Sequence, residues 1–149
     1  MPIVKVINIG EFGARKMIQQ RKKKRWKKTT YKVRTLRLRE KVDPFECAPQ
    51  AKGIVLAKKG IEQKQPSSGI IKCVRVQLLK NGKEITAFVP GNESIKLVNE
   101  HDEVMLEGVG GSQGGPVGSM WGVRWKVTKI NGKSLDGLMK AAKAGVKKK

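Results

Sequence analysis

The middle of this sequence predicts an all-β domain, five strands closed into a small barrel, and three observations carry that expectation. Strand signals recur at short intervals from residue 51 onward, each bounded by Gly, Pro or Asn. The last of them, Trp121–Ile130, alternates cleanly. Trp121, Val123, Trp125 and Val127 share one parity, and Gly122, Arg124, Lys126 and Thr128 the other. Between the third and fourth signals, Ser94–Asn99 reads as a short helical crossing. Five strands with such a crossing point to an OB-fold, whose barrel face and loops take oligonucleotides, although another small barrel fits the pattern equally well.

The elements follow in order. Gly53–Gln63 is the first strand, bent near Lys58–Gly60. Ile70–Leu79 is the second, with Ile70, Val74, Val76 and Leu78 on one face and Arg75 and Gln77 on the other. Asn81-Gly82 predicts a type I′ turn into Glu84–Val89, which Pro90-Gly91-Asn92 terminates. Glu103–Val109 is the fourth strand. Gly108–Gly118 then holds six glycines in eleven residues, a long hairpin or a bare-backbone loop able to lie against RNA. It has neither Gly-Lys-Ser/Thr nor Gly-x-Gly-x-x-Gly spacing, so it is not a nucleotide-phosphate loop. After the fifth strand, Asn131-Gly132 makes a turn, and Ser134 caps a helix running through Leu138 to about Lys143.

Charge divides the 149 residues more sharply than pattern does. Residues 1–41 hold 15 Lys/Arg and 2 acids, residues 42–125 hold 10 and 9, and residues 126–149 hold 8 and 1. A nearly neutral centre is therefore flanked by two cationic arms, organised as a basic extension (1–45), a barrel (46–130) and a basic tail (131–149). The extension carries six basic residues in Arg21–Lys27 and a short helix over about Ala14–Lys24, which needs a partner to be stable. Residues 32–50, alternating cations with apolar side chains and turning at Asp43-Pro44 and Ala48-Pro49, read as a linker lying on a surface. Arms of this charge repel themselves until a polyanion condenses them, and nucleic acid is the obvious one. Arg15, Lys16, Arg21, Lys22, Lys23, Lys24, Arg25, Arg34, Arg37, Arg39, Lys72 and Arg75 are the candidate phosphate donors. Trp26 and Tyr31 among them are placed to stack on a base or ribose.

Other function classes lack their residues. No run of about 18 apolar residues spans a bilayer, and the Ile3–Ile9 segment is too short and too interrupted for a signal peptide. Cys47 and Cys73 stand far apart with one histidine in the chain, which excludes a zinc site and reads as a reducing cytosol with each cysteine a small, at least half-buried residue. His101 reads as an exposed loop residue. Asp102 and Glu103 are strand neighbours facing opposite ways, so they make no acid/base pair, and no Ser/His/Asp or Cys/His set assembles. Neither an enzyme nor a membrane protein is expected.

The stretch with the sharpest chemistry is Lys64-Gln65-Pro66-Ser67-Ser68-Gly69. Pro66 fixes φ, the serines favour a turn, and Gly69 tolerates positive φ. The tip offers two hydroxyls and exposed carbonyls, bracketed by Lys64 and Lys72. This segment resembles the universal small-subunit ribosomal protein that lines the decoding centre, protein S-twelve, in its archaeal or eukaryotic form. That family carries Lys-x-Pro-Asn-Ser-Ala here, so Ser67 stands for its Asn and Gly69 for its Ala. A second family motif, Asp-x-Pro-Gly-Val-Arg-Tyr, corresponds to Ser119, Met120, Trp121, Gly122, Val123, Arg124 and Trp125. Gly122, Val123 and Arg124 match, while Ser119 and Trp121 replace the acid and the proline. The Glu11-Phe12 opening, the basic run ending in Arg25-Trp26 and the segment around Ala48–Leu56 extend the likeness from about Glu11 to about Lys140.

The resemblance implies an OB-fold, no enzymatic activity, and a cytoplasmic place in the small ribosomal subunit. It implies binding of small-subunit rRNA beside neighbouring ribosomal proteins, near the mRNA–tRNA decoding complex and elongation factors, with no membrane and no homo-oligomer. Pro66 would bring a backbone carbonyl near a Mg²⁺ shared with rRNA, the chain having no cofactor of its own. Ser68 would hydrogen-bond near the codon–anticodon helix, Lys64 and Lys72 would neutralise phosphate, and Arg124 would support the second loop. Two other readings compete: a free single-stranded RNA chaperone using the barrel face, and a basic peripheral membrane protein or hydrolase.

Overall fold

A computed structural model describes residues 13–146. The Ile3–Ile9 segment, the Glu11-Phe12 pair and the Lys147–Lys149 end lie outside the described residues. Contacts divide the chain into two compact units, one up to Glu46 and one from Cys47 onward.

The first unit is helical: α1 (Gly13–Lys27), α2 (Thr29–Thr35) and α3 (Leu38–Val42). The expected basic helix is present and three residues longer at its C-terminal end. The expectation of a surface-lying linker over residues 32–50 is corrected in its first half, where the end of α2 and the whole of α3 lie. Lys28, with extended backbone, separates α1 from α2, and Arg37, in the left-handed region at φ 48°, separates α2 from α3. None of the three helices buries a residue. Their basic side chains leave no apolar face to pack, so the chain as a whole is not all-β but a β-rich unit preceded by a helical basic arm.

The second unit contains β1 (Gln50–Glu62), β2 (Ile70–Leu78), β3 (Glu84–Phe88), β4 (Glu103–Gly108), β5 (Trp125–Ile130), the short β6 (Lys133–Ser134) and α4 (Leu135–Val146). A single 3-10 turn over Ser94–Leu97 forms the expected crossing between β3 and β4. The six strands run β3-β2-β1-β4-β5-β6, antiparallel throughout, and a parallel pairing of β3 with β5 (Ala87↔Trp125, Phe88↔Lys126) closes five of them into a ring. Each ring strand is thereby hydrogen-bonded on both sides, which removes the open edges of a flat sheet.

β1 is the hub because it is long enough to serve two partners. Gln50–Ile54 pair with β4, and Gly53–Glu62 pair with β2. An irregularity between Val55 and Ala57 bends it, a few residues upstream of the Lys58–Gly60 bend expected from sequence. Val55, Val74, Val76, Leu78, Ala87, Val104, Leu106 and Val127 fill the centre, all essentially inaccessible. Glu107 ties three strands together on the outside. It faces both Gln50 and Lys126 in register, with its carboxylate 2.9 Å from Lys126 Nζ. That hydrogen bond, aided by the lysine's charge and by Gln50, holds Glu107 below the usual carboxylate range.

Three local expectations change. The 78–83 connection is not a type I′ turn, which needs positive φ at two central residues. Only Gly82 has it, at 66°, and its N–H closes onto the Leu78 carbonyl at 2.9 Å. The two-residue turn with both residues at positive φ is instead Asn131 (48°) and Gly132 (78°), joining Ile130 to its partner Lys133. Asn131 also accepts the Glu103 N–H at 3.1 Å and donates to Asp102 at 2.9 Å, stitching the β5–β6 turn to β4. Next, β5 begins at Trp125 rather than Trp121, because Gly122 at φ 75° breaks the extended backbone. Last, β2 does not keep one parity. Ile70 is exposed, whereas Ile71 and Cys73 are buried along with Val74, Val76 and Leu78. A second apolar layer on the opposite face of β2 explains the switch. Ser134 caps α4 as expected, accepting the Gly137 N–H at 3.3 Å.

Candidate nucleic-acid interface

The turn Lys64–Gly69 forms the end of the β1–β2 hairpin, beyond the last ladder pair Glu62↔Ile70. All six residues are exposed. The Gln63 N–H donates to the Gly69 carbonyl at 2.9 Å, and the Ser67 N–H to the Lys64 carbonyl at 3.0 Å, around a cis Gln65–Pro66 peptide. The two hydroxyls expected at the tip are not equivalent. Ser67 donates to the Gln63 side chain at 2.5 Å, while Ser68 has no partner among the described residues. Only Ser68 is left to offer its hydroxyl outward. Gly69 does not adopt positive φ, and its bare Cα leaves the Gln63 side chain undisturbed. A Cβ there would stand 2.9 Å from the Gln63 Oε1 that receives Ser67. An added methyl at residue 69 would press on the tip of the side chain that Ser67 binds.

The second loop lies beside this turn, and it supplies the apolar layer that changed the parity of β2. Val123, 1% exposed, packs with Ile71 and Cys73, and Met120 and Ile61 flank them. The indole N–H of Trp121 donates to the Glu62 carbonyl, at the end of β1, at 2.8 Å. Ser119, Gly122 and Arg124 are exposed. The Arg124 guanidinium sits 5.7 Å from the centre of the Trp125 ring, and its carbonyl accepts the Val109 N–H at 3.0 Å. The glycine-rich segment before it is folded rather than a plain hairpin. Ser112–Gly114 forms a tight turn with Gln113 in the left-handed region at φ 54°, and the Gly115 and Pro116 carbonyls leave no room for a side chain at Gly111.

Several cations on this unit are neutralised: Lys52 by Glu103 at 2.9 Å, Arg75 by Glu84 at 2.7 Å, and Lys126 by Glu107, whereas Lys129 and Lys133 on β5 and β6 are exposed and meet no carboxylate among the described residues. At the turn end, Lys58, Lys59, Lys64 and Lys72 are exposed and pair with no carboxylate among the described residues. Lys58 and Lys59 were not legible as site residues in the sequence, although a Lys-Lys pair inside a strand was the available signal. Arg75, a predicted phosphate donor, has its guanidinium engaged by Glu84 through two nitrogens.

In the helical arm, Arg15, Lys16, Lys22, Lys23, Arg37 and Arg39 are exposed, and Trp26 is 42% exposed. Trp26 and Tyr31 meet edge to face at 5.1 Å, and the Arg25 guanidinium lies 4.5 Å from the Tyr31 ring. The aromatic pair therefore braces the α1–α2 corner. A cleft of about 520 Å³ there is lined by Arg21, Lys24, Arg25, Lys28, Thr30, Tyr31 and Arg34. Five cations converging on one cleft repel each other unless an anion lies between them. Lys28 is the member that sequence reading missed.

A model of the ribosomal protein S12/S23 family matches residues 38–149. The chain belongs to this family. S12/S23 proteins are structural, non-enzymatic components of the small ribosomal subunit, and the matched span includes the whole strand ring, the Lys64–Gly69 turn and the second loop. It also begins at α3, so the cationic cleft of the arm lies outside the match. Within this S12/S23 member, Cys47 is exposed rather than half-buried, and Cys73 is fully buried. Burial pushes the Cys73 thiol from 9.0 up to about 11. The unfolded thiol ionises first, so stability contributed by the neutral thiol is intact below about pH 9 and declines as the pH rises through 11. Chemical denaturation at pH 8 and pH 10.5 is expected to show a smaller loss for Cys73→Ala than for the parent. Equal losses would mean that the thiol is not protected.

Proposed function

We propose that the chain acts in the cytoplasmic small ribosomal subunit by embedding its helical arm in rRNA and presenting the Lys64–Gly69 turn and the Gly118–Arg124 loop to the decoding site. On this reading the strand ring is an OB-type barrel that serves as a rigid mount. The observation that carries the proposal is a cluster of charge: Lys58, Lys59, Lys64 and Lys72 stand exposed and without a carboxylate partner among the described residues at one end of the β1–β2 hairpin. Four unpaired cations gathered around one turn raise affinity for a polyanion there, which supports contact with RNA at this end.

The residues then take distinct parts. Lys64 and Lys72 neutralise phosphate near the turn, and Ser68 donates its hydroxyl to a base or ribose beside the codon–anticodon helix. Residues 65–68 are exposed, and residues 63–69 contain no carboxylate. That donor set fits sharing a Mg²⁺ held chiefly by RNA phosphates, with Pro66 contributing one neutral oxygen, and does not fit a metal site of the protein's own. The partners are small-subunit rRNA, adjoining ribosomal proteins, the mRNA–tRNA complex and the elongation factors that visit it. No membrane and no second copy of the chain is involved.

Ribosomes carrying Ser68→Ala test the reading. Loss of one hydrogen bond, about 0.5–1.5 kcal/mol, corresponds to roughly a two- to tenfold change in near-cognate misreading at normal subunit yield. Lys64→Ala, which removes a charge rather than a directed bond, is expected to shift cognate rate together with accuracy. Normal fidelity in Ser68→Ala, combined with a shortage of subunits, would make the turn an assembly contact only. Recovery of the protein mainly outside ribosomes would favour a free RNA chaperone.

A further inference from the structure

Two loops far apart in sequence are fastened to consecutive residues at the end of β1. The Glu62 carbonyl receives the Trp121 indole N–H at 2.8 Å across 59 residues of chain. Gln63 receives the Ser67 hydroxyl through its side chain, and its N–H meets the Gly69 carbonyl. Beneath the second loop, Val123 and Met120 close over Cys73, which is inaccessible. Trp121 as a residue is 53% exposed. Its hold on the loop is therefore the directed N–H···O bond more than burial. A proline at this position, as in the motif this loop resembles, stiffens the chain locally but has no side-chain donor to reach β1.

We infer that Trp121 is a positioning residue, whose indole N–H fastens the second loop to the end of β1 so that both loops meet RNA as one surface. Its consequence for decoding rests on the function proposed above, but the fastening itself is a property of the protein alone. When the bond is absent, the loop lifts more often from its seat over Ile71 and Cys73, and local opening of this kind exposes the buried thiol without global unfolding.

Cys73 is the reporter. In full-length protein carrying Cys47→Ser, the rate of iodoacetamide labelling at Cys73 reads the open fraction directly. Trp121→Phe keeps an aromatic ring and removes the donor, and is expected to label about two- to tenfold faster, the weight of one hydrogen bond. The global thermal midpoint should fall only by the few degrees that one hydrogen bond accounts for, so labelling well below it reads local opening and not unfolding. Trp26→Phe, on the arm, controls for a general effect of losing a tryptophan and should label at the parent rate. Equal rates for Trp121→Phe and the parent would overturn the inference. The functional half is read in ribosomes carrying Trp121→Phe, where near-cognate misreading should change about twofold or more at normal subunit yield. Faster labelling with normal misreading would leave the fastening intact and refute its role in decoding. A normal result for Ser68→Ala would instead tell against the decoding assignment itself.

Discussion

Removing residues 1–41 is expected to flatten the salt dependence of RNA binding while the strand ring stays folded. That segment carries 15 of the 33 basic residues and only 2 acids. Each phosphate it neutralises adds about 0.7–0.9 to the steepness of the log–log salt plot. If roughly seven of its cations reach phosphate, deletion makes the slope shallower by about five to six, a loss of several orders of magnitude in affinity at low salt. The prediction rests on the five cations that line the α1–α2 cleft, against the smaller number of unpaired lysines that the ring unit would contribute. Binding of a small-subunit rRNA fragment, measured between about 50 and 200 mM salt, gives the slope. Circular dichroism checks the ring. An unchanged slope in the truncated protein would place the anchor elsewhere.

Gly53→Ala is expected to be the most damaging single methyl added to the ring. Gly53 pairs with Leu78 on one side and Val104 on the other, at the point where β1 serves both ladders. A Cβ there would run into Val76 Cγ1 and stand 2.7 Å from the Gln77 carbonyl. Backbone on a paired strand cannot swing away as a side-chain tip can, so the strands must part. Overpacking of this kind costs about 1–3 kcal/mol, and in a unit of this size each kcal/mol lowers the thermal midpoint by about 4–8 °C. Gly145→Ala in α4, where the added methyl meets nothing within 4 Å, serves as the control and should leave the midpoint unchanged or slightly raised. A Gly53→Ala midpoint equal to that of the control would show that β1 yields at this point.

What the sequence disclosed and what it withheld follow from the range of the forces involved. Asn131-Gly132, the Ser134 cap and the turn at Pro66–Ser68 were legible because each is decided within four residues by local backbone chemistry. The strands were legible where alternation reflects one covered face. Cys73 and Ile71 broke that rule because the cover on their side, Val123, arrives from 50 residues away and carries no periodic mark. Trp121 read as a strand residue for the same reason: its bond to Glu62 has no local signature. In the arm, Thr29, Thr30, Val33 and Thr35 are poor helix formers on their own, so α2 was hidden by intrinsic propensity. Among the site residues, Lys64 and Ser68 were found from the turn, but that Ser67 turns inward depended on the room left by Gly69, a geometric fact about two side chains.

The parallel pairing of Ala87 with Trp125 also sets an order of events during synthesis. A chain emerges from its N-terminus, so the cationic helices are out before any strand exists, and β3 leaves with one edge unsatisfied. That edge waits for the second loop and for β5, nearly 40 residues later, before the ring can close. Over this interval the nascent molecule combines an uncovered strand edge, which can pair wrongly, with a highly charged arm that attracts polyanions. Early engagement of the arm by RNA or by a chaperone would hold it in place until the last strand arrives.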